Sequence, residues 1–474
     1  MNSSWSDLIA NGPLVALTVT GLILILIEST KTTRVRVTYV VGILGLILTG
    51  ALALFRLVPG QPTFNGMMNA GGFGSYFAFL FVLAALLTFF LSRSYLERMG
   101  NNRGEYYILV IFSAVGMMLI AGANDLMIVF LGIELMSVCL YVLVGFFRVR
   151  ERSNESSIKY FLLGAFATGF LLYGIALVYG ASGTTNLTEI GRSSPTLAGN
   201  ALFVAGTALI IVAFSFKVAA VPFHMWAPDV YEGAPTTITG FMSTGAKAAA
   251  FAGFVLVFDR TFSYSGTKVN DVVAFIAAAS MIVGNVIAIA QTNVKRMLAY
   301  SSVAHAGYML SGVAAANPEG QSGVMFYLIA YLFMNIGAFG IVGLMEKEDG
   351  NNMNLDDYAG LSTRRPVLAL LMAVFMFSLA GVPPFGGFFG KYYVFLAAVK
   401  GNLTWLAVIG VLTSLISAYY YLRVVVLMYF REGSADAPVK PSFGSMVAVG
   451  LAAALILELG IYPSPIVQLV QSFH

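Results

Sequence analysis

The sequence predicts an all-α membrane protein of about fourteen transmembrane helices. Three observations carry this. Of 474 residues, 58% are hydrophobic and only 10% charged, against roughly 25% charged in a soluble domain. Apolar runs of roughly 18 residues or more recur along the whole chain, and each is long enough to cross a bilayer as a helix. Three lysines, Lys217, Lys247 and Lys391, fall inside those runs instead of between them. A barrel strand needs only ~10 residues to cross, so helices account for the run lengths and strands do not.

The spans are expected at 12–28, 37–57, 75–92, 105–121, 125–147, 158–181, 199–224, 236–259, 271–290, 299–314, 322–346, 366–400, 402–422 and 443–470. The first run, Leu14 to Ile27, has no Lys or Arg before it and no small-residue cleavage pattern after it. A removed signal peptide is therefore not expected. The runs group as N-terminal helices over 1–104, a first set of five over 105–259, a second set over 271–422 and a last helix over 443–470, all within one membrane domain. The single cysteine, Cys139, excludes an internal disulfide and a thiolate metal cage.

Orientation follows from the basic residues. Of 26 Lys and Arg, 23 lie between spans. Eighteen of these share one side: Lys31, Arg34, Arg36, Arg93, Arg98, Arg103, Arg148, Arg150, Arg152, Lys159, Lys295, Arg296, Lys347, Arg364, Arg365, Arg423, Arg431 and Lys440. Arg56, Arg192, Arg260, Lys268 and Lys400 hold the other, with both termini. The net charge of +4 therefore belongs to cytoplasmic loops and is no argument for nucleic acid.

A short repeat links the seventh and twelfth spans. Phe214-Ser215 lead to Val221-Pro222-Phe223, and Phe377-Ser378 lead to Val382-Pro383-Pro384-Phe385. An odd number of crossings separates the copies, so they run in opposite directions. Inverted repeats with helices broken near mid-membrane are the architecture of transporters. Two unrelated proline kinks would give the same pattern.

A charge at the bilayer centre costs about 2.5–3.5 kcal/mol on insertion scales, so such residues face protein or water. Glu134 lies mid-span, with Ser137 and Tyr141 on its helix face. Lys217 precedes Pro222, whose missing N–H frees carbonyls that water or a lysine can meet. Lys247 has Ser243 and Thr244 on its face, and Lys391 follows the second break. Burial favours the neutral amine and a nearby carboxylate favours the ammonium. Movement of Glu134 relative to Lys217 would thus load or release a proton. The competing reading is a static buried ion pair that sets helix register. His305, early in the tenth span, suits a shuttle or a satisfied helix interface. Tyr327, Tyr331 and Asn335, at intervals of four, line a water chain or supply interhelical hydrogen bonds. His224, beside Trp226, is expected at the cytoplasmic end of its span. Glu458 is mid-span in the last run and has no polar neighbours at helical spacing. No nucleotide-binding glycine loop and no Cys or His cluster for iron–sulfur or haem is present, so redox chemistry is expected in other chains.

Lys295-Arg296-Met297-Leu298-Ala299-Tyr300-Ser301-Ser302, continuing to His305-Ala306-Gly307-Tyr308, resembles the signature of the antiporter-like proton channels. That family includes subunits L, M and N of respiratory complex I and the large subunits of multisubunit Na⁺/H⁺ antiporters. Two further stretches resemble its subunit N branch. One runs Lys159-Tyr160-Phe161-Leu162-Leu163-Gly164-Ala165-Phe166 and on to Tyr173-Gly174-Ile175-Ala176; the other spans Pro222 to Thr236 and contains Trp226-Ala227-Pro228-Asp229. The resemblance covers essentially the whole chain. It implies a Glu in the fifth helix, a Lys in the broken seventh, a Lys in the eighth and a charge in the broken twelfth. Glu134, Lys217, Lys247 and Lys391 occupy those places. A lysine in the twelfth is unlike subunit M, and the long lateral helix of subunit L is missing. The resemblance implies a proton-translocating subunit whose partners, other membrane subunits and a peripheral electron-transfer arm, use NADH or another donor and quinone. No cofactor is expected in this chain. The alternatives are a subunit of a multisubunit Na⁺/H⁺ antiporter and a structural membrane subunit.

With eighteen loop basics on one side, reporter fusions are expected to place the Lys31–Arg36 loop in the cytoplasm of a bacterial-type cell and the C-terminus outside. Finding both on one side would refute the topology.

Overall fold

The computed structural model describes residues 2–30, 35–58, 60–258, 261, 267–347, 353–433 and 441–473. Lys31, Arg34, Arg260 and Lys440, used above for orientation, lie outside the described residues, as does the side chain of Lys268. The chain forms a helical bundle, and eleven of its described helices are long and apolar enough to cross a membrane.

A short α1 (Asn2–Ala10) leads to α2 (Gly12–Ser29) and α3 (Val35–Phe55). A small hairpin of β1 (Gln61–Thr63) and β2 (Met68–Ala70) turns through Phe64, Asn65 and Gly66, all with positive φ. Then come α4 (Gly72–Arg98), α5 (Gly104–Gly122), α6 (Leu126–Val144), α7 (Glu151–Ser182) and a surface helix α8 (Leu187–Leu197). Asp125 caps α6 through the Met127 N–H, and Asn186 and Asn200 cap α8 and α9 in the same way.

The seventh expected span is broken. α9 (Ala201–Lys217) stops, and a short α10 (Trp226–Gly233) comes after it. The stop is a left-handed cap: Ala219 has φ 60°, and the Ala220 N–H returns to the Ser215 carbonyl at 2.8 Å. The twelfth span breaks in the same manner. α17 (Pro366–Ala380) stops at Gly381, φ 87°, and the Val382 N–H returns to the Phe377 carbonyl at 3.0 Å before α18 (Gly386–Lys400) begins. The peptide bonds Val221-Pro222 and Pro383-Pro384 are both cis.

Between the breaks lies the eighth span. α11 (Thr236–Phe241) passes through a π-helical turn, Met242–Ala246, into α12 (Lys247–Val257). A π-bulge inserts one residue into the helical ladder and re-aims the side chains beyond it, Lys247 first among them. Next come α13 (Thr267–Ile289), α14 (Val294–Ala314) and α15 (Pro318–Met345). A 3-10 turn (Leu355–Tyr358) and α16 (Leu361–Arg364) precede α17. α19 (Thr404–Phe430), α20 (Phe443–Ile461) and α21 (Ser464–Gln471) complete the described chain.

Burial sorts the helices. The apolar stretches of Thr236–Val257 and Pro318–Met345 are wholly buried, so α11–α12 and α15 form the centre. α2, α7 and α19 turn large apolar side chains outward, among them Leu26, Phe166 and Leu415. Aliphatic side chains facing outward along whole helices suit lipid as the surrounding solvent. Helix contacts close through small residues. A Cβ on Gly116 of α5 would lie 2.5 Å from the Met136 nitrogen of α6, and one on Gly284 of α13 would lie 2.6 Å from the Ala304 nitrogen of α14.

Two expectations need correction. The last apolar run is not one span. It ends at Ile461 before Pro463, and the 19 residues of α20 already cover ~28 Å at 1.5 Å each. Glu458 therefore sits in the final turn of α20, exposed, and not at mid-span. Lys295, counted as a loop lysine, is buried in the first turn of α14 and donates to the Ala234 carbonyl at 2.7 Å.

Gly116→Val would force α5 off α6, because the clash is with backbone that cannot rotate away. Overpacking of this kind costs about 1–3 kcal/mol. A lowered thermal midpoint of the purified assembly is expected, and an unchanged one would show that the contact yields freely.

Candidate functional site

Lys217, Lys247 and Lys391 are 8%, 2% and 5% exposed. No ion pair among the described residues involves them. Each amine is held by neutral oxygen.

At the first break Lys217 closes α9 and donates to Ser137 of α6 at 2.8 Å. The expected direct pair with Glu134 is not formed. Glu134 stands one turn earlier on α6, half-buried between the exposed Leu131 and Val138, and its buried Oε1 has no hydrogen-bond partner. Ser137 thus stands where contact with the carboxylate was expected. The carbonyl freed beside Lys217 does not meet the lysine either: Trp226 Nε1 donates to Phe216 O at 3.0 Å. The Trp226 ring stacks on Tyr160 with centroids 4.8 Å apart. The Val221 N–H is anchored to Ser280 Oγ of α13 at 2.9 Å. His224 lies in the non-helical turn after Pro222, half-buried and edge-on to Tyr300, with its Nδ1 unpartnered.

Lys247 emerges from the π-turn and donates to Ser302 of α14, at 2.6 Å to the carbonyl and 2.5 Å to the hydroxyl. Ser243 and Thr244, expected to serve it, instead bond back to the Gly240 carbonyl of their own helix. This back-bonding is common for Ser and Thr inside helices. Lys247 Nζ also lies 5.9 Å from the centre of the Tyr331 ring.

The second break does what was expected of the first. Lys391 of α18 reaches back to the carbonyls of Leu379 and Ala380 at 3.0 and 2.8 Å, and to Ser414 of α19 at 2.7 Å. Lys391 is 25 residues beyond Pro366 in the sequence. Its amine lies level with the end of α17, ~20 Å along at 1.5 Å per residue, because the turn after Ala380 interrupts the advance of the helix.

His305 sits between Lys247 and Lys391, beside the Tyr331 ring that Lys247 faces and the Tyr308 ring that Lys391 faces. Its Nδ1 meets Tyr327 Oη at 2.7 Å and its Nε2 meets Tyr421 Oη at 3.0 Å. Tyr421 also bonds Ser301. The Tyr331 ring lies 5.1 Å from the imidazole. Asn335 donates to the Tyr331 carbonyl at 3.3 Å, while Tyr331 Oη and Asn335 Oδ1 are buried without hydrogen-bond partners. Sequence reading placed Ser137 on the Glu134 face without assigning it to Lys217, and gave no role to Ser302, Ser414, Tyr420 or Tyr421. Only a polar residue at the same helical phase in an otherwise apolar run marked them.

At the face that carries most of the loop basic residues, charges lock the frame. Asp229 of α10 accepts from Lys159 of α7 at 3.0 Å and from Arg296 of α14 at 2.7 Å. Partial burial works against its carboxylate, but the hydrogen bonds from Arg296 and Lys159 outweigh it and hold the pKa below the usual range. Buried Glu346 gathers Arg150 at 2.9 Å, Tyr95 at 2.8 Å and Thr236 at 2.6 Å, fixing the start of α11.

Residues 123–417 match the family model described as NADH:quinone oxidoreductase/Mrp antiporter, TM. Over 467 residues the chain is 46% identical to NADH-quinone oxidoreductase subunit N 1 of Chloroherpeton thalassium, covering 97% of this chain and 96% of the relative. The chain belongs to the NADH-quinone oxidoreductase subunit N family. A chain of respiratory complex I from Thermus thermophilus with bound aureothin superposes with TM-score 0.84 at 33% identity, covering 96% of this chain and 98% of that one. A chain of the Mrp complex from Dietzia sp. reaches TM-score 0.85 at 21% identity, over 98% and 96% of the two chains, and shares the fold.

Gly381→Ala tests the lysine seat. The position needs positive φ, and a Cβ there would come within 3.0 Å of Lys391 Cδ and 3.2 Å of its Nζ. The left-handed backbone alone costs about 1–2 kcal/mol for a non-glycine residue. The variant is expected to assemble but to pump poorly, because the amine is pushed off its carbonyls. Native proton uptake in vesicles would show that this seat is unimportant.

Proposed function

We propose that the chain is the proton-translocating membrane subunit of a redox-driven NADH–quinone oxidoreductase in a bacterial inner membrane. It works through Glu134, Lys217, Lys247, His305 and Lys391. NADH, or another donor, and quinone react in partner subunits, and other membrane subunits connect this chain to that peripheral arm. The observation that carries the reading is the neutral seating of the lysines. A buried ammonium locked to a carboxylate is a static pair and resists losing its proton. An amine held by Ser137, by Ser302 or by Ser414 with two carbonyls keeps acceptable partners in both protonation states. Each site can therefore fill and empty.

In this reading the chain crosses the membrane fourteen times with both termini outside. Residues 105–259 and 271–422 are two inverted units, each with a broken helix. The matching left-handed caps at Ala219 and Gly381 support that assignment. A proton taken up near Glu134 and Lys217 passes to Lys247, then by His305 and its tyrosines to Lys391. Tyr331 Oη, Asn335 Oδ1 and Glu134 Oε1 lack protein partners. Such oxygens are expensive in a bilayer unless water meets them, so a hydrated route is expected there. His224 lies off this line, beside the first break.

Moving one charge against 100 mV requires about 2.3 kcal/mol, and a change of roughly two pKa units in one group supplies that much. Displacing Glu134 relative to Ser137 and Lys217 is a movement of the right kind. Lys247→Arg and Lys391→Arg keep the positive charge but remove the ability to release the proton, because a guanidinium stays charged. Both are expected to abolish proton uptake by reconstituted vesicles, with quinone reduction slowed only through coupling. If both pump like the native assembly, the lysines do not titrate and the proposal is wrong.

A further inference from the structure

We infer that Asn285 of α13 is a proton divider between the His305 side of the relay and the Lys391 side. This rests on the relay reading above. Asn285 is wholly buried and its amide is fully used. Nδ2 lies 2.7 Å from the Met281 carbonyl and 2.9 Å from Tyr308 Oη, and Oδ1 lies 2.9 Å from Tyr420 Oη. The Met281 carbonyl can only accept. The amide atom facing it must therefore be the NH₂ group, and the orientation of the side chain is settled.

That orientation sets the polarity of both tyrosines. Tyr420 must spend its hydroxyl hydrogen on Asn285 Oδ1, so toward its neighbour Tyr421, whose ring centre lies 4.4 Å from its own, it can only accept. Tyr421 in turn touches His305 Nε2. Tyr308 receives an N–H from Asn285, so its own hydrogen points away from the amide. Ser414 is a partner of Lys391, whose amine also lies 5.0 Å from the Tyr308 ring centre. The two hydroxyl groups thus lie on opposite sides of one amide. A carboxamide passes no proton here: its N–H hydrogens are not released, and its oxygen accepts without donating onward. The path His305–Tyr421–Tyr420 is insulated from Tyr308 and Lys391. Protons must then take the other side of His305, through Tyr327 and the α15 stripe.

The close packing of α13 on α14 holds this geometry. Gly284 sits against the Ala304 backbone, and Gly307 against Ala277 and Met281, which brings Asn285 to Tyr308. Asn285→Asp keeps size and shape but adds a transferable proton. One carboxyl oxygen can take the Tyr420 proton, which Tyr420 regains from the His305 side, as the other gives its proton to Tyr308, which releases its own toward Lys391, so every group ends neutral and one proton has moved across. Asn285→Leu keeps the bulk and removes both hydrogen bonds.

The test is passive proton conductance of vesicles containing the whole assembly, under an imposed pH difference and without electron donor. Asn285→Asp is expected to raise the leak by about a hundredfold, the low end of what one placed proton-transfer group contributes. Asn285→Leu is expected not to leak, and Lys391→Ala added to Asn285→Asp is expected to close the leak. A native leak rate in Asn285→Asp overturns the inference. So does an equal leak in the Leu variant, which would mean loosened packing, or a leak that survives loss of Lys391. The arginine variants of Lys247 and Lys391 carry native Asn285, so the relay and the divider can fail separately.

Discussion

The structure depends on one constraint: within a bilayer, every buried polar group must find its partner inside the protein. Continuous helices satisfy their own backbone, which leaves nothing for a lysine. The two broken helices change this. At Ala380 the interrupted helix offers carbonyls, and Lys391 takes two of them. At Lys217 the interruption exposes the Phe216 carbonyl, and Trp226 takes it. The same break, capped in the same left-handed way, serves a lysine in one half and an indole in the other. The reason is where the charge stands: before the turn at position 217, beyond it at position 391.

The rest of the frame holds those breaks in place. Tyr160 and Trp226 belong to the two stretches that resemble subunit N, and they stack on each other beside Lys217. Lys159 and Asp229, from the same stretches, pair at the basic face of the bundle, and Arg296 joins them. These long motifs therefore build the support around the lysine, while Lys217 itself lies between them. The Glu346 cluster does equivalent work at the start of α11, and the π-turn then aims Lys247 at Ser302.

Serine is the common partner of all three lysines, and this bears on energetics. A carboxylate in each place would stabilise the charge and trap it. A hydroxyl accepts from an ammonium and donates to a neutral amine, so neither state is left unpaired. Glu134 makes no ion pair with the first lysine, whose amine Ser137 holds instead. The tyrosines around His305 extend the same principle: groups that both donate and accept, packed where no water-exposed surface competes.

The sequence by itself determined the helical membrane class, the two breaks and the identity of the trapped charges. Hydropathy, proline and the expense of burying a charge act locally, and Glu134, Lys217, Lys247, His305 and Lys391 were legible for that reason. What each of them touches was decided by tertiary structure. Ser137 is 80 positions from Lys217, Ser302 is 55 from Lys247, and Tyr421 is 116 from His305. A serine or tyrosine in an apolar run is weakly marked, because either face of the helix tolerates it. Only the close glycine contacts and the π-turn fix which face turns inward. That is also why the expected Glu134–Lys217 contact became a contact with Ser137, and why Ser243 and Thr244 turned back on their own helix. Asn285 gave no signal in the sequence, since its role lies in the opposed polarity of two tyrosines that only the packing of α13, α14 and α19 brings to one amide.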